Sequence, residues 1–162
     1  MKNEEFRMKN NEWRLQIAGV WRNPKAKEFL GDLARENGVF DKIDYLGFVD
    51  DMKSLYQDAS VFVLSSRYEG FGLVLIEAMS QGCACVACDY NGRQSEIITT
   101  KEEGLICKVD DVKNLALSIK KMIEDEQYRS IVQKNAITRS HYYNMNNTME
   151  RWEDLLRRVC IS

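Results

Sequence analysis

The chain has 162 residues, of which 44% are hydrophobic and 30% are charged, a size and composition typical of one globular domain with a buried core. Its 23 lysines and arginines against 25 aspartates and glutamates give a net charge of -2, without the basic excess of a nucleic-acid-binding protein, so no nucleic acid is expected as a partner. No apolar run reaches the roughly 18 residues of a membrane span and the polar start is unlike a signal peptide, so we expect a cytoplasmic protein with reduced cysteines.

Short apolar runs typical of strands alternate along the chain with stretches that have helical periodicity. In chain order we predict a strand at Leu15–Gly19, a helix from Pro24 to Asn37, a strand at Ile43–Leu46, a helix over Asp51–Ala59, a strand at Val61–Leu64, a helix over Leu73–Gln81, strands at Cys85–Cys88 and Gly104–Val109, a helix capped by Asp110 or Asp111, and two final helices, of which the last covers Asn146–Val159. Strands that are apolar throughout indicate a parallel sheet buried between helices. The predicted fold is therefore a Rossmann-like, three-layer α/β domain with a helical C-terminal tail.

Two of these helices carry apolar residues on one face, which predicts that this face packs on the core. The first is the helix from Pro24, with Ala26, Phe29, Leu30, Leu33 and Ala34, and the second is the helix after Asp111, with Val112, Leu115, Ala116, Ile119, Met122 and Ile123.

Three cysteines cluster around the strand at Cys85–Cys88 and raise the question of a metal site. Alternation along a strand places Cys83 and Cys85 on one face and Cys88 on the other, so the three thiols could not converge on one ion. Cysteine is also common as a small buried apolar residue. We interpret these cysteines as structural and predict no metal.

The loop Ser65–Gly72 follows the strand Val61–Leu64, and ligands of parallel sheets bind where loops leave the carboxyl ends of strands. Gly70 and Gly72 let the backbone approach a ligand closely. The helix that begins near Leu73 directs its free N–H groups and its positive dipole end towards the loop, as in an anion site. An ordinary tight turn before a helix is the alternative interpretation.

That helix, Leu73–Gln81, is apolar on every side until its last turn except for the carboxylate of Glu77, and we expect it to be buried. Glu77 should then lie near a solvent opening or accept hydrogen bonds, because an isolated buried charge is costly. A vicinal diol such as that of a ribose would suit a carboxylate. The alternative is that Glu77 neutralises a neighbouring backbone group.

The segment Glu69–Gly82 resembles the Glu-x7-Glu signature of the retaining glycosyltransferases of family four, the group 1 enzymes with two facing Rossmann-like domains. Other glutamates of this chain are also eight apart, so the resemblance depends on the combination of strand, EGFG loop, apolar helix and EAM-x-x-G. Tyr45–Val49, Asp89–Ile98 and Glu103–Cys107 resemble further segments of the family. From Leu15 onwards, the chain is similar to the second, donor-binding domain.

The resemblance implies a role for each segment of the site. Glu69, as the catalytic residue, and the backbone of Gly70, Phe71 and Gly72 would face the sugar hydroxyls near the anomeric carbon. The N–H groups of Leu73 and Val74 would bind the diphosphate, Glu77 the ribose, and the loop at Phe48 and Val49 the base. The glutamates would position the donor and stabilise charge. Neither a metal nor a cofactor is expected besides the nucleotide sugar, and His141 is interpreted as a structural or surface residue.

Several features of the family pattern are missing. Residues 1–14 contain no counterpart of its first strand or of the arginine and lysine that hold the diphosphate, and Arg22 and Lys25 are poor substitutes. We therefore expect residues 1–162 to form one nucleotide-sugar-binding domain, with a polar lead-in at 1–13, that is a fragment or half of a split enzyme and transfers no sugar alone.

The first, central strand of the sheet would then be absent, and we expect either a five-stranded sheet closed over the gap or a dimer that fills it. By the resemblance, the C-terminal helix (residues 142–162) would contact the missing N-terminal acceptor domain, and only that half would give any peripheral membrane association. Without it, Trp152 and Leu156 should fold onto this domain, meet a second copy, or lie partly exposed.

Two other functions are compatible with the same residues. A sugar-nucleotide 2-epimerase has the same two-domain architecture and also binds a nucleotide sugar, although the EGFG loop argues against it. A non-catalytic nucleotide-sugar-binding remnant would explain the missing arginine and lysine.

Overall fold

The computed structural model describes residues 13–21 and 23–160 of the chain. These residues divide into two compact units, 13–52 and 53–160. Arg22 and residues 1–12 of the predicted lead-in lie outside the described residues, so the interpretation of both stays a prediction. The assignment of one domain to the whole chain also stays a prediction.

The first unit contains two strands and one helix: β1 (Leu15–Ala18), α1 (Pro24–Glu36) and β2 (Ile43–Gly47). The strands pair in parallel from Leu15 opposite Ile43, and the ion pair between Arg14 and Asp44 joins them at their start. Asn23 caps α1 by accepting the backbone N–H of Lys25 at 3.0 Å. Pro24 suits the first helical position, where the N–H has no partner within the helix.

The apolar face predicted for α1 is only partly covered. Gly31 and Ala34 are buried, whereas Phe29 is 69% exposed and Leu33 is 43% exposed. Phe40 lies in the turn that follows the helix, and the guanidinium of Arg35 lies 4.3 Å from the centroid of its ring. Helical spacing identifies the face of a helix that can be buried, but it does not show how much of that face meets a neighbour.

The second unit is built around a parallel sheet with the order β3-β4-β5, in which β4 is central. Its strands are β3 (Val61–Leu64), β4 (Ala84–Asp89) and β5 (Leu105–Lys108). Its helices are α2 (Met52–Asp58), α3 (Leu73–Ser80), α4 (Arg93–Ile97), α5 (Val112–Glu124), α6 (Glu126–Ser140) and α7 (Met145–Cys160). The first residue of α2, Met52, is the last residue of the first unit. Every residue of β4 from Ala84 to Cys88 is buried, as expected for a strand covered on both faces.

The core of this unit lies between the sheet and the helices α5 and α6. Buried Val86 of β4 and Cys107 of β5 pack with Met122 of α5 and Val132 of α6. Leu115 and Ile119 pack against this cluster, so the face predicted for α5 is the one that meets the sheet. Asp111 caps α5 by accepting the backbone N–H of Asn114 at 3.1 Å.

The cysteines around β4 are buried free thiols. The thiol of Cys83 donates to the carbonyl of Tyr56 at 3.1 Å, and burial raises the pKa of Cys83 to about 11. Burial also raises the pKa of Cys85 and of Cys88. Within residues 13–21 and 23–160 there is no group of three or more metal-ligating side chains. The burial of these thiols and the contact of Cys83 agree with the structural interpretation of the cysteines, and the expected absence of a metal stays a prediction.

The expectation of one five-stranded sheet is wrong for the described residues. Their strands form two separate sheets, because β1 pairs with β2 whereas β3 pairs with β4. A continuous sheet needs either a strand between β1 and β3 or a direct pairing of the two, and the described residues supply neither. The alternative of a dimer that fills the gap stays a prediction.

The last helix leaves its apolar face exposed. None of the residues of α7 is buried, and Trp152 is 56% and Leu156 is 53% exposed. Of the three outcomes expected for these side chains, burial against this domain is not observed, and contact with a second copy stays a prediction. Across the described part of the chain, the helices are all too short or too polar to cross a membrane.

Candidate functional site

The loop Ser65–Gly72 leaves the carboxyl end of β3 and runs directly into α3. Gly72 adopts a left-handed conformation with φ of 88° and is the residue that precedes the helix. Its carbonyl accepts the N–H of Leu75 at 2.9 Å, which closes the first turn. Because the first N–H groups of a helix have no partner within it, those of Leu73 and Val74 remain available to an anion.

Helix α3 is not buried on every side, contrary to the expectation. Leu75, Ala78 and Met79 are buried against the rest of the unit. Leu73 is 64% exposed and Val74 is 38% exposed. Helix α3 packs on one side against α6, β4 and β3, so the residues of that side are buried and the opposite face stays open. Glu77 lies on that open face, one turn after Leu73 and Val74.

The carboxylate of Glu77 is exposed and accepts no hydrogen bond from the described part of the chain. The hydroxyl of Ser80 donates at 2.7 Å to the backbone carbonyl of Glu77 and not to its carboxylate. Burial, with a smaller contribution from the charge of Glu77, raises the pKa of Tyr56 to about 12. Among the described residues, no backbone group contacts this carboxylate, so the alternative that Glu77 neutralises a backbone group has no supporting contact there.

Aromatic contacts hold the EGFG loop from two directions. The rings of Tyr68 and Tyr90 are 4.8 Å apart between centroids. The ring of Phe71 meets that of Tyr143 edge-on at 5.9 Å. Between these contacts, Glu69 is half-buried, and its carboxylate has no hydrogen-bond donor within the described ranges. The loop is thus anchored on both sides of a free carboxylate.

The segment after β4 forms a short helix, α4, which the sequence patterns missed. Asp89 organises its start: its carboxylate accepts the N–H of Gln94 at 3.0 Å and the hydroxyl of Ser95 at 2.6 Å. The side-chain oxygen of Gln94 accepts the N–H of Tyr90 at 2.7 Å. The polar run Asp89–Glu96 is typical of a loop. In the sequence, the one signal of a helix cap is Asp89 at the end of the strand.

Two residues of α4 reach the EGFG loop and were absent from the predicted site. The guanidinium of Arg93 donates a hydrogen bond to the carbonyl of Gly70. Gln94 is fully buried, and its Nε2 has no hydrogen-bond partner among the described residues. That nitrogen lies 3.4 Å from the place where a Cβ on Gly72 would stand. Their positions depend on the fold, since they follow Gly72 by about twenty residues along the chain.

The remaining predicted residues lie in the other unit or outside the loop. Phe48 and Val49 follow β2 in the first unit, where Phe48 is 73% exposed, and their contact with a base stays a prediction. His141 lies in a 3₁₀ turn between α6 and α7, and its carbonyl accepts the side-chain N–H of Asn147 at 2.7 Å. This position agrees with a structural or surface residue.

Comparison with known proteins connects this arrangement to one family. The family model for glycosyl transferases group 1 matches residues 3–139. An alpha-1,4-N-acetyl-D-galactosaminyltransferase of Campylobacter jejuni is 33% identical over 119 residues, which cover 73% of this chain and 33% of that protein.

Solved structures give the same result for the fold. The C-terminal domain of a glycosyl transferase group 1 family protein (LpcC) from Francisella tularensis superposes with a TM-score of 0.77 at 26% identity, covering 85% of this chain and 73% of that one. Anabaena HepE in complex with UDP has a TM-score of 0.82 at 22% identity, covering 92% of this chain and 42% of that one.

The chain spans less than half of the length of its curated relatives, 33% of the Campylobacter transferase and 40% of a glycosyltransferase from Haemophilus influenzae. The family match nevertheless extends over most of the 162 residues. The α/β fold with parallel strands is that of the solved relatives. The chain belongs to the group 1 glycosyltransferases.

Proposed function

We propose that the chain binds the nucleoside-diphosphate sugar donor of a retaining glycosyltransferase. The observation that carries the proposal is the open face of α3, where Leu73, Val74 and the free carboxylate of Glu77 follow one another from the start of the helix. A helix N-terminus attracts phosphate, and a carboxylate one turn further along suits hydroxyl groups. A nucleoside diphosphate offers both chemical groups on one molecule.

Each part of the donor then has its own segment. The N–H groups of Leu73 and Val74 bind the diphosphate, and Glu77 accepts hydrogen bonds from the two hydroxyls of the ribose. Glu69 and the backbone from Gly70 to Gly72 face the sugar. Hydrogen bonds to a charged group contribute about 1.5–3 kcal/mol each, so the ribose contacts are a substantial part of the affinity.

For the first unit, the resemblance of Tyr45–Val49 to the family supports a role in binding a nucleobase. The loop at Phe48 and Val49 borders it, mostly through the main chain. Because Phe48 is 73% exposed, its ring is available to a planar partner.

In the transfer step, Glu69 positions the sugar and stabilises charge near the anomeric carbon. Its carboxylate is half-buried and unpaired within the described residues, so it is available to a ligand. The departing phosphate oxygen of the donor assists the deprotonation of the acceptor, so neither glutamate acts as a general base. We propose no metal and no further cofactor.

Two findings from the comparisons support donor binding. Anabaena HepE has been solved with UDP and with UDP-glucose, and its fold covers 92% of this chain. The separately solved Francisella domain is a C-terminal domain of the same family and covers 85% of it. The donor-binding part of such an enzyme is thus a suitable counterpart for these residues.

We also propose that these 162 residues transfer no sugar without an acceptor-binding partner, either a further domain or a second copy. Transfer requires donor and acceptor to be held in line, and this positioning supplies much of the rate. The chain spans 33% of the length of the Campylobacter transferase, which supports a separate acceptor-binding part. Any contact with a membrane would come through the acceptor-binding part.

A thermal-shift screen with UDP-, GDP- and ADP-sugars tests the proposal. A ligand that binds only the folded protein stabilises it by RT ln(1 + [L]/Kd), about 2.7 kcal/mol at a hundred times Kd. One base should raise the melting temperature more than the others, and the nucleoside diphosphate alone should give most of the shift. No shift with any of these ligands at millimolar concentration would show that the chain is not a competent donor domain.

A further inference from the structure

Arg93 is an exposed cation at the edge of the EGFG loop. It is the first residue of α4, and its guanidinium donates to the carbonyl of Gly70, three positions before the first residue of α3. A guanidinium has five N–H donors in a planar fork. No further partner of Arg93 is found in the described part of the chain, so most of these donors remain free for a ligand.

The other arginine of this region is already neutralised. Arg67 lies within the loop, and its Nε donates to the carboxylate of Asp110 at 2.7 Å. Asp110 follows β5 and has a left-handed backbone with φ of 64°. Arg93, in contrast, is held by a neutral carbonyl, so its charge is uncompensated by that contact. An anion at the start of α3 would therefore be attracted more by Arg93 than by Arg67.

A second, independent observation in the same region is a buried side-chain donor next to Gly72. Gln94 is fully buried, and its Nε2 is a donor that meets no acceptor within residues 13–21 and 23–160. This nitrogen lies beside Gly72, the residue that caps α3. A buried donor without an acceptor costs free energy, so such groups are rare unless a ligand or a water completes them.

We propose that Arg93 is the cation of the diphosphate site at the start of α3. This inference rests on the proposed function and adds to it the residue that supplies the positive charge. One N–H anchors the guanidinium on Gly70, and the remaining donors bind the phosphate oxygens that face the N–H groups of Leu73 and Val74. An arginine suits this task because its fork matches two oxygens of a phosphate at once.

The test compares Arg93→Gln and Arg93→Lys with a matched control, Arg151→Gln. Arg151 is also an exposed arginine that donates to a backbone carbonyl, that of Tyr142 at 2.9 Å, but it lies on α7. Each protein is titrated with UDP, GDP and ADP and with uridine, guanosine and adenosine. The nucleosides carry no phosphate, so they report damage to the rest of the site.

We expect Arg93→Gln to weaken binding of the preferred nucleoside diphosphate by about ten-fold, the size of one charge-assisted hydrogen bond, and to leave the nucleoside within about two-fold of the parent protein. Arg93→Lys should lose less, because it keeps the charge without the fork. Arg151→Gln should bind like the parent protein. If Arg93→Gln cannot be purified folded, a loss in Arg93→Lys that is confined to the diphosphate supports the inference.

Unchanged diphosphate binding in both Arg93 variants would overturn this inference and leave the proposed function standing. Equal losses for the diphosphate and the nucleoside would also overturn it, because Arg93 would then only hold the loop. If the parent protein binds none of the three nucleoside diphosphates, the proposed function itself fails, and the inference fails with it.

Discussion

The side-chain amide nitrogen of Gln94 lies 3.4 Å from the position that a Cβ atom on Gly72 would occupy. Gly72 also has φ of 88°, in the left-handed region that favours glycine. We expect Gly72→Ala to lower the free energy of unfolding by about 1–2 kcal/mol, from the left-handed backbone, and to weaken nucleoside diphosphate binding. Urea denaturation measures the first effect and titration the second.

Gly70 provides the matched control in the same loop. Nothing lies within 4 Å of a Cβ added there, and Gly70 does not belong to the glycines with positive φ. Gly70→Ala should leave the free energy of unfolding within about 0.5 kcal/mol of the parent protein. If the two alanine variants lose the same stability, the strain assigned to Gly72 is wrong.

Arg139 joins helix α6 to the end of α4. Its Nε donates to the carbonyl of Ile97 at 2.8 Å, and its Nη2 donates to that of Glu96 at 2.7 Å. Arg139→Gln should lower the free energy of unfolding by about 1–3 kcal/mol, because carbonyls at the end of α4 lose charged donors. Arg158→Gln, on the exposed α7, is the control and should change little. A loss as small as that of the control would show that α4 does not need this connection.

The stability of the protein should fall in mild alkali. Burial raises the pKa of Cys83 to about 11, whereas an ordinary thiol titrates near about 8.5. The folded protein therefore holds this proton more tightly than the unfolded chain. The resulting stabilisation is complete below about pH 8.5 and is lost as the pH rises towards about 11, with a loss of about 1–2 kcal/mol by pH 10.

Denaturation at about pH 8 and pH 10 checks this dependence. Cys83→Ala should lose less stability between the two pH values than the parent protein does, because it lacks the titrating thiol. Cys160→Ala, which removes the exposed cysteine, should behave like the parent protein. Identical pH dependence in all three proteins would rule out Cys83 as a source of the effect.

Apolar patterns predicted the order of the elements well, because the five strands are short apolar runs and most helices have a clear period. The strand Val61–Leu64 is observed with the predicted bounds, and Ile43 begins β2 as expected. Periodicity does not reveal how strands associate. For that reason the split into a two-stranded and a three-stranded sheet was not predicted.

The site was predicted only as far as it is contiguous in sequence. The EGFG loop and α3 lie where the pattern indicates, but the exposure of Leu73 was not foreseen, because an apolar helix favours burial. Arg93 and Gln94 reach the loop only because β4 lies beside β3 in the sheet. Such contacts depend on tertiary structure, and neither residue type carries a signal of its own.

The proposed contact between Glu77 and the ribose connects the structure directly to a nucleotide donor. The carboxylate is exposed and unpaired within the described residues, and Ser80 bonds only its backbone carbonyl. Glu77→Gln keeps the size of the side chain and removes the charge. The variant should therefore fold like the parent protein and differ only in the strength of its hydrogen bonds to hydroxyl groups.

Calorimetric titration of the parent protein and Glu77→Gln, with the preferred nucleoside diphosphate and with inorganic pyrophosphate, shows whether Glu77 binds the ribose of the donor. We predict that the variant binds the nucleoside diphosphate more weakly by about 1–3 kcal/mol, through loss of the charge-assisted ribose bonds, and binds pyrophosphate with nearly unchanged affinity. Equal losses for the two ligands, or no loss for either, would contradict the assignment of Glu77 to the ribose of a bound donor.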